Sequence, residues 1–145
     1  MSRHTIPQRY SPGEEIANSI THGLGLVLSI AGLAVLITFA GLYGTGWHVV
    51  SCVIFGTTLI LMYTASTLYH GIRSPQAKSL LRILDHAAIF LLIAGTYTPF
   101  TLVSLRGAWG WSLFGVVWGL AMTGLLFQTT LLRRWLGASL VLYIA

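Results

Sequence analysis

The chain has 145 residues, of which 55% are hydrophobic and only 8% charged, and its mean hydropathy is +0.80. Soluble domains carry about a quarter charged residues, so the composition excludes an ordinary soluble globule and favours a polytopic membrane protein. The basic residues outnumber the acidic ones by eight to three. They lie singly between apolar runs and form no basic face, which argues against nucleic-acid binding. A single cysteine, Cys52, excludes an intrachain disulfide.

The N-terminal residues lack a basic cap that leads directly into a short apolar stretch with a cleavage site, so we do not expect them to be a signal peptide. We predict a cytoplasmic N-terminal segment with an amphipathic lead-in over residues 1–21. A transmembrane helical domain is predicted over residues 22–145.

Four apolar segments follow in this domain, and the length of each is close to the roughly 20 residues that a membrane-spanning helix needs. No β-strand alternation is sustained, and the backbone in lipid must satisfy its own hydrogen bonds, so the segments are predicted to be helices. The fold class is therefore an all-α, polytopic transmembrane bundle. The predicted helices are residues 22–43, 47–70, 83–105 and 108–130.

Small residues and one proline mark expected features of helix packing. Small residues recur at four-residue spacing, which permits close approach of helix backbones. Pro99 should kink the third helix or break a turn near Thr96 and Tyr97. The small-residue rows are Gly25 and Ser29 in the first helix, and Gly115, Gly119 and Thr123 in the fourth.

The end of the sequence reads WLGASLVLYIA from residue 135. This apolar run is too short to span a bilayer at about 1.5 Å per residue. We expect it to be the start of a fifth helix in a C-terminally truncated chain.

The basic residues predict the orientation of the bundle. If the helices alternate in direction, seven Lys and Arg residues fall on one side and only Arg106 falls on the other. The positive-inside tendency then places the N-terminus in the cytoplasm. The seven residues are Arg3, Arg9, Arg73, Lys78, Arg82, Arg133 and Arg134.

Ionisable residues in membrane-spanning segments are costly, and each is a candidate for a functional site. The alternating topology brings His22, His70, Asp85 and His86 to the same depth, near the cytoplasmic leaflet. His48 lies at the opposite interface. Ser66 precedes His70 by four residues and shares its helix face. A histidine, a hydroxyl and a carboxylate at one depth are the components of a zinc–water site.

The spacing of these residues in the sequence does not exclude purely structural roles for them. Asp85 would favour a helix N-terminus electrostatically, Ser66 would bond the carbonyl one turn back, and His70 would extend to the headgroups. Successive side chains on a helix point about 100° apart, so if Asp85 faces the zinc–water site, the adjacent His86 faces it poorly.

Three motifs carry a resemblance to a known family. They are ExxNxxxH (Glu15, Asn18, His22), SxxxH (Ser66, His70) and LDHAAIFLLIAGTYTPF over residues 84–100. Because the three motifs occur in this order and at this spacing, the chain resembles the hemolysin III family of bacterial membrane proteins. This family is related to the progestin and adipoQ receptors and to alkaline ceramidases.

The resemblance implies a seven-helix bundle in the bacterial plasma (inner) membrane, with a zinc ion near the cytoplasmic face. His70 would be one zinc ligand, and two further histidines would come from an HxxxH motif that this chain lacks. Asp85 matches the acidic residue beside the zinc-bound water, and Ser66 matches the motif serine. Glu15, Asn18 and His22 match a motif whose role is undefined.

Three functions follow from these observations as alternatives. One is zinc-dependent hydrolysis of a lipid amide in the membrane, with Asp85 and Ser66 as catalytic residues. The second is pore formation and cytolysis. The third is a receptor or regulator of membrane state with structural zinc. Membrane lipids are the expected partners, and the oligomeric state is left open.

Overall fold

The computed structural model describes residues 10–128 of the protein. These residues form four long helices and no strand, which confirms the all-α class. Each helix is long and apolar enough to cross a membrane. The predicted helix from residue 135 lies outside the described residues. The helices are α1 (Pro12–Tyr43), α2 (Gly46–Gly71), α3 (Pro75–Pro99, continued by a π-helical turn over Phe100–Ser104) and α4 (Ala108–Leu126).

Helices α1 and α3 begin well before the predicted residues 22 and 83, because local capping signals precede the apolar stretches. Ser11 caps α1: its hydroxyl accepts from the N–H of Glu14, and its own N–H donates to the Glu14 carboxylate at 2.7 Å. This is a capping box, followed by a proline at the first helical position. A serine and a proline, Ser74 and Pro75, likewise open α3. The predicted bounds marked the apolar stretches and not the full helices.

Pro99 changes the helix after it, and not at Thr96 and Tyr97 as predicted. The α-helix runs through both residues, and a π-helical turn begins at Phe100. Its wider hydrogen bond joins the N–H of Leu105 to the carbonyl of Phe100 at 2.8 Å. Proline has no N–H to donate to the carbonyl of Gly95, so the α-helical ladder loses one bond just before the π-helical turn.

Each helix packs against the next one along the chain. Glycines lie where two helices approach closely, and a Cβ at these positions would collide with a side chain of the neighbouring helix. A Cβ added at Gly115 or Gly119 would meet no described atom of another helix within 4 Å, so this predicted row marks no close helix contact within residues 10–128. The close glycine contacts are Gly25 with Tyr63, Gly56 with Leu33, Gly95 with Thr58, and Gly124 with Phe90.

Replacement of Gly95 by alanine is expected to destabilise the bundle, because the new methyl group would run into the stiff, β-branched Thr58 of α2. Overpacking of this kind costs roughly 1–3 kcal/mol. Gly32→Ala is the matched control, because its Cβ meets nothing within 4 Å. That change should be neutral or stabilise the protein by up to about 1 kcal/mol. Thermal unfolding in detergent measures both, and equal melting temperatures would contradict this packing.

Candidate functional site

The start of α1, the end of α2 and the start of α3 meet at one end of the bundle. Alternating helix directions and a short connection between α2 and α3 bring these segments together. We call this region the polar end and define it by five side chains that form two contact groups. They are Glu15, His22, Ser66, His70 and Lys78.

His70 has only 7% of its side chain exposed, less than Glu15 at 18% and Lys78 at 28%. Its Nδ1 lies 2.7 Å from Oε2 of Glu15. An ionised carboxylate can only accept a hydrogen bond, so Nδ1 carries the proton in the neutral imidazole and Nε2 keeps its lone pair. The rings of Tyr69 and Tyr10 lie 4.7 and 5.5 Å from the His70 ring. His70 is therefore held by Glu15 and enclosed by two aromatic rings at the α1–α2 contact.

Glu15 connects three helices through its two carboxylate oxygens. Oε2 accepts from His70 of α2, and Oε1 accepts from Nζ of Lys78 in α3 at 2.6 Å. The Lys78 ammonium also lies over the Tyr69 ring, 5.2 Å from its centroid. From the sequence, Lys78 indicated only the orientation of the bundle, and neither ion pair of Glu15 was predicted. One available signal was that Glu15 is among only three acidic residues in the chain.

His22 and Ser66 form the second contact group. Nδ1 of His22 lies 2.5 Å from the Ser66 hydroxyl, which belongs to a residue only 2% exposed. Ser66 thus makes its hydrogen bond across the α1–α2 contact and not to its own helix. The rings of His22 and His70 are nearly perpendicular, with centroids 5.8 Å apart. The structure therefore brings His22, Ser66, His70 and Glu15 into one cluster.

Asp85 lies well inside α3, which begins at Pro75. The stabilising effect of a helix N-terminus fades within the first turn, so this role for Asp85 is excluded. Within residues 10–128, no hydrogen bond links its carboxylate to His70 or Ser66. The carboxylate lies 3.7 Å from Nδ1 of His86, and that nitrogen is 2.8 Å from the carbonyl of Arg82.

Asn18 and His48 complete the set of sequence candidates. Asn18 is half-buried and lies between Glu15 and His22 on the same face of α1. His48 lies at the opposite end of the bundle, where its Nδ1 accepts from the backbone N–H of Thr45 at 3.1 Å. His48 therefore has a local role at the start of α2.

The polar end by itself does not form a complete metal site. Within the described part of the chain, no three His, Cys, Asp or Glu side chains are arranged to hold a metal ion. His70 nevertheless fits the role of one ligand. Histidines that bind metal commonly donate their second ring N–H to a carboxylate, as His70 does to Glu15. The HxxxH motif implied by the resemblance does not occur in the sequence.

Comparison with known proteins decides the family. The sequence profile of the family described as "Haemolysin-III related" matches residues 10–145. The chain belongs to this haemolysin-III-related family. With its four apolar helices, it is a multi-pass membrane protein.

Two curated relatives of this haemolysin-III-related protein are similar over most of its length. "Hemolysin-3" of Bacillus cereus is 50% identical over 131 residues, which cover 90% of this chain and 60% of the relative. "Hemolysin-3 homolog" of Bacillus subtilis (strain 168) is 48% identical over 131 residues, which cover 90% of this chain and 62% of the relative. The chain thus spans about three fifths of the length of these relatives. No solved structure gives a significant match.

Replacement of Ser66 by alanine is expected to destabilise the protein by roughly 1–3 kcal/mol, because Nδ1 of the part-buried His22 would lose its hydrogen-bond partner. Ser51→Ala is the matched control, since that buried hydroxyl bonds only the carbonyl of Trp47 in its own helix. The midpoint of thermal unfolding should fall further for Ser66→Ala. Equal effects of the two changes would show that the His22–Ser66 contact does not stabilise the bundle.

Proposed function

We propose that the polar end supplies part of the zinc centre of a membrane hydrolase that acts on lipid amides. His70 would bind zinc through Nε2. One observation carries this proposal. The His70 side chain is only 7% exposed, and its Nδ1 is bonded to the Glu15 carboxylate, so that Nε2 is the nitrogen that would bind a metal ion. When bound in such a site, zinc polarises a carbonyl group and activates water.

Two other residues have roles in this proposal. Asp85 would act as general base, because it matches the acidic residue that the resemblance places beside the zinc-bound water, and its carboxylate is 15% exposed with Nδ1 of His86 at 3.7 Å. An ionised carboxylate can accept a proton from water. Ser66 would act by holding the ring of His22, to which its hydroxyl is bonded, beside His70.

The proposed location is the bacterial plasma membrane, with the N-terminus and the polar end on the cytoplasmic side. The excess of basic residues on one side of the bundle supports this orientation. The two Bacillus relatives support a bacterial origin. A site at this depth suits a substrate whose amide group lies near the headgroups of the inner leaflet.

Removal of His70 is the direct test of the proposed centre. In a longer form of the protein that includes the HxxxH motif implied by the resemblance, purified His70→Ala protein should hold less zinc per chain than the unchanged protein, and hydrolysis of a ceramide-like lipid amide in vesicles should fall by roughly tenfold or more. Zinc is measured by elemental analysis, and hydrolysis by fatty-acid release. His48→Ala, at the opposite end of the bundle, serves as the control and should retain both.

Asp85→Asn separates catalysis from metal binding in the same assays. If Asp85 is a general base, the variant should keep its zinc but lose roughly 10²–10⁴-fold in hydrolysis. Undiminished hydrolysis by Asp85→Asn would overturn the assigned role.

Cytolysis is a second candidate function, favoured by the name "Hemolysin-3" of the Bacillus cereus relative. Leakage of a dye from lipid vesicles on addition of purified protein would support it, provided that His70→Ala causes the same leakage. If chelation of metal lowers the melting temperature while neither hydrolysis nor leakage occurs at any stage, a regulator with structural zinc is favoured.

A further inference from the structure

Glu15 belongs to a motif with no assigned role, yet it makes the most extensive polar contacts of the polar end. Its side chain is 18% exposed, and each of its carboxylate oxygens has a different cationic or imidazole partner. We propose that Glu15 is a positioning residue that fixes the tautomer and orientation of His70, and that Lys78 holds the Glu15 carboxylate in place. The inference rests on the proposed function, in which His70 is the metal ligand.

The choice of tautomer follows from the chemistry of the contact. A neutral imidazole carries one proton, on either Nδ1 or Nε2. A proton on Nε2 would place the lone pair of Nδ1 against the Glu15 carboxylate, 2.7 Å away, where two acceptors would face each other. Glu15 therefore selects the tautomer with Nδ1–H. That tautomer leaves Nε2 with the lone pair that a metal ion needs.

The orientation of the ring has a second support. The rings of Tyr69 and Tyr10 lie 4.7 and 5.5 Å from the His70 ring between centroids, both at steep angles to it. Such packing restricts rotation of the ring but does not select which ring nitrogen carries the proton. The hydrogen bond to Glu15 supplies that distinction.

Lys78 restricts the carboxylate itself. A glutamate side chain has several rotatable bonds, and ordering it costs conformational entropy. With Oε1 held by Lys78 at 2.6 Å, Oε2 is presented to His70 at little further cost. Lys78 lies at the beginning of α3, so this contact also couples the placement of α3 to the orientation of a side chain on α2.

The neutral variant Glu15→Gln tests this arrangement with almost no change of shape. An amide keeps one acceptor oxygen and has an NH₂ donor in place of the other, so it cannot accept from His70 and Lys78 on two separate oxygens as the carboxylate does. Glu14→Gln is the matched control: it makes the same chemical change one residue earlier, on an exposed side chain. Its capping interaction with Ser11 tolerates glutamine. Lys78→Met, in which Glu15 is retained, is the second variant.

The first measurement needs no metal. Nitrogen-15 chemical shifts of the His70 ring distinguish its two neutral tautomers from each other, and they are measured on metal-free protein in lipid nanodiscs. The unchanged protein and Glu14→Gln should show one tautomer, protonated at Nδ1. Glu15→Gln should show a mixture of both. A single, unchanged tautomer in Glu15→Gln would overturn the inference.

The second measurement is a titration with Zn²⁺ of the same variants, made in a longer form of the protein that includes the HxxxH motif implied by the resemblance. Loss of a carboxylate partner of this kind weakens metal binding by about 10–100-fold, and we expect this loss for Glu15→Gln. Lys78→Met should bind with an affinity between those of Glu15→Gln and the unchanged protein, and Glu14→Gln should match the unchanged protein. Equal affinity of Glu15→Gln and the unchanged protein would refute the positioning role.

The two measurements distinguish failure of this inference from failure of the proposed function. If the unchanged protein shows the expected single tautomer, lost in Glu15→Gln, but His70→Ala does not alter zinc binding, the zinc centre is wrong and the positioning of His70 by Glu15 stands. If zinc binding depends on His70 but neither measurement responds to Glu15→Gln, the zinc centre stands and the positioning role is wrong.

Discussion

The structure depends on one constraint: a polar group that lies in lipid must find its partner within the protein. Within residues 10–128, no buried side-chain nitrogen or oxygen lacks a hydrogen-bond partner. Along the middle of the helices, most serine and threonine hydroxyls meet this constraint by donating to a carbonyl of their own helix. Examples are Ser29, Thr38, Ser51, Thr67 and Thr96. Such local bonds leave the helix surfaces apolar and able to face lipid or each other.

Side chains that cannot be satisfied locally come together between helices. A carboxylate and an imidazole are too costly to bury alone, but a pair with matched hydrogen bonds is tolerated. Glu15, His70 and Lys78 form such a set where three helix ends meet. The same constraint explains the contact at the far side of the bundle, where the indole of Trp118 donates to the buried Thr98 at 3.1 Å and joins α4 to α3.

Much of the fold could be predicted because hydropathy and helix periodicity are local properties of the sequence. The four apolar segments are helices, and Ser66 and His70 share one face of α2. The early starts of α1 and α3 also had local signals, Ser11 with Glu14 and Ser74 with Pro75, which a reading of apolar length alone overlooks. The row of Gly115 and Gly119 shows the limit of such patterns, since small residues permit a close contact but do not specify the partner.

The sequence by itself determined the family, the helical class and the residues that could carry chemistry, because motifs and spans depend on residues a few positions apart. Only the tertiary structure decided which of those residues touch. Glu15 meets His70 across 55 positions, and His22 meets Ser66 across 44. These pairings depend on how far α1 is rotated and shifted against α2. That placement is set by contacts such as Gly25 against Tyr63 and Gly56 against Leu33, where the shape of one helix surface limits the position of the other.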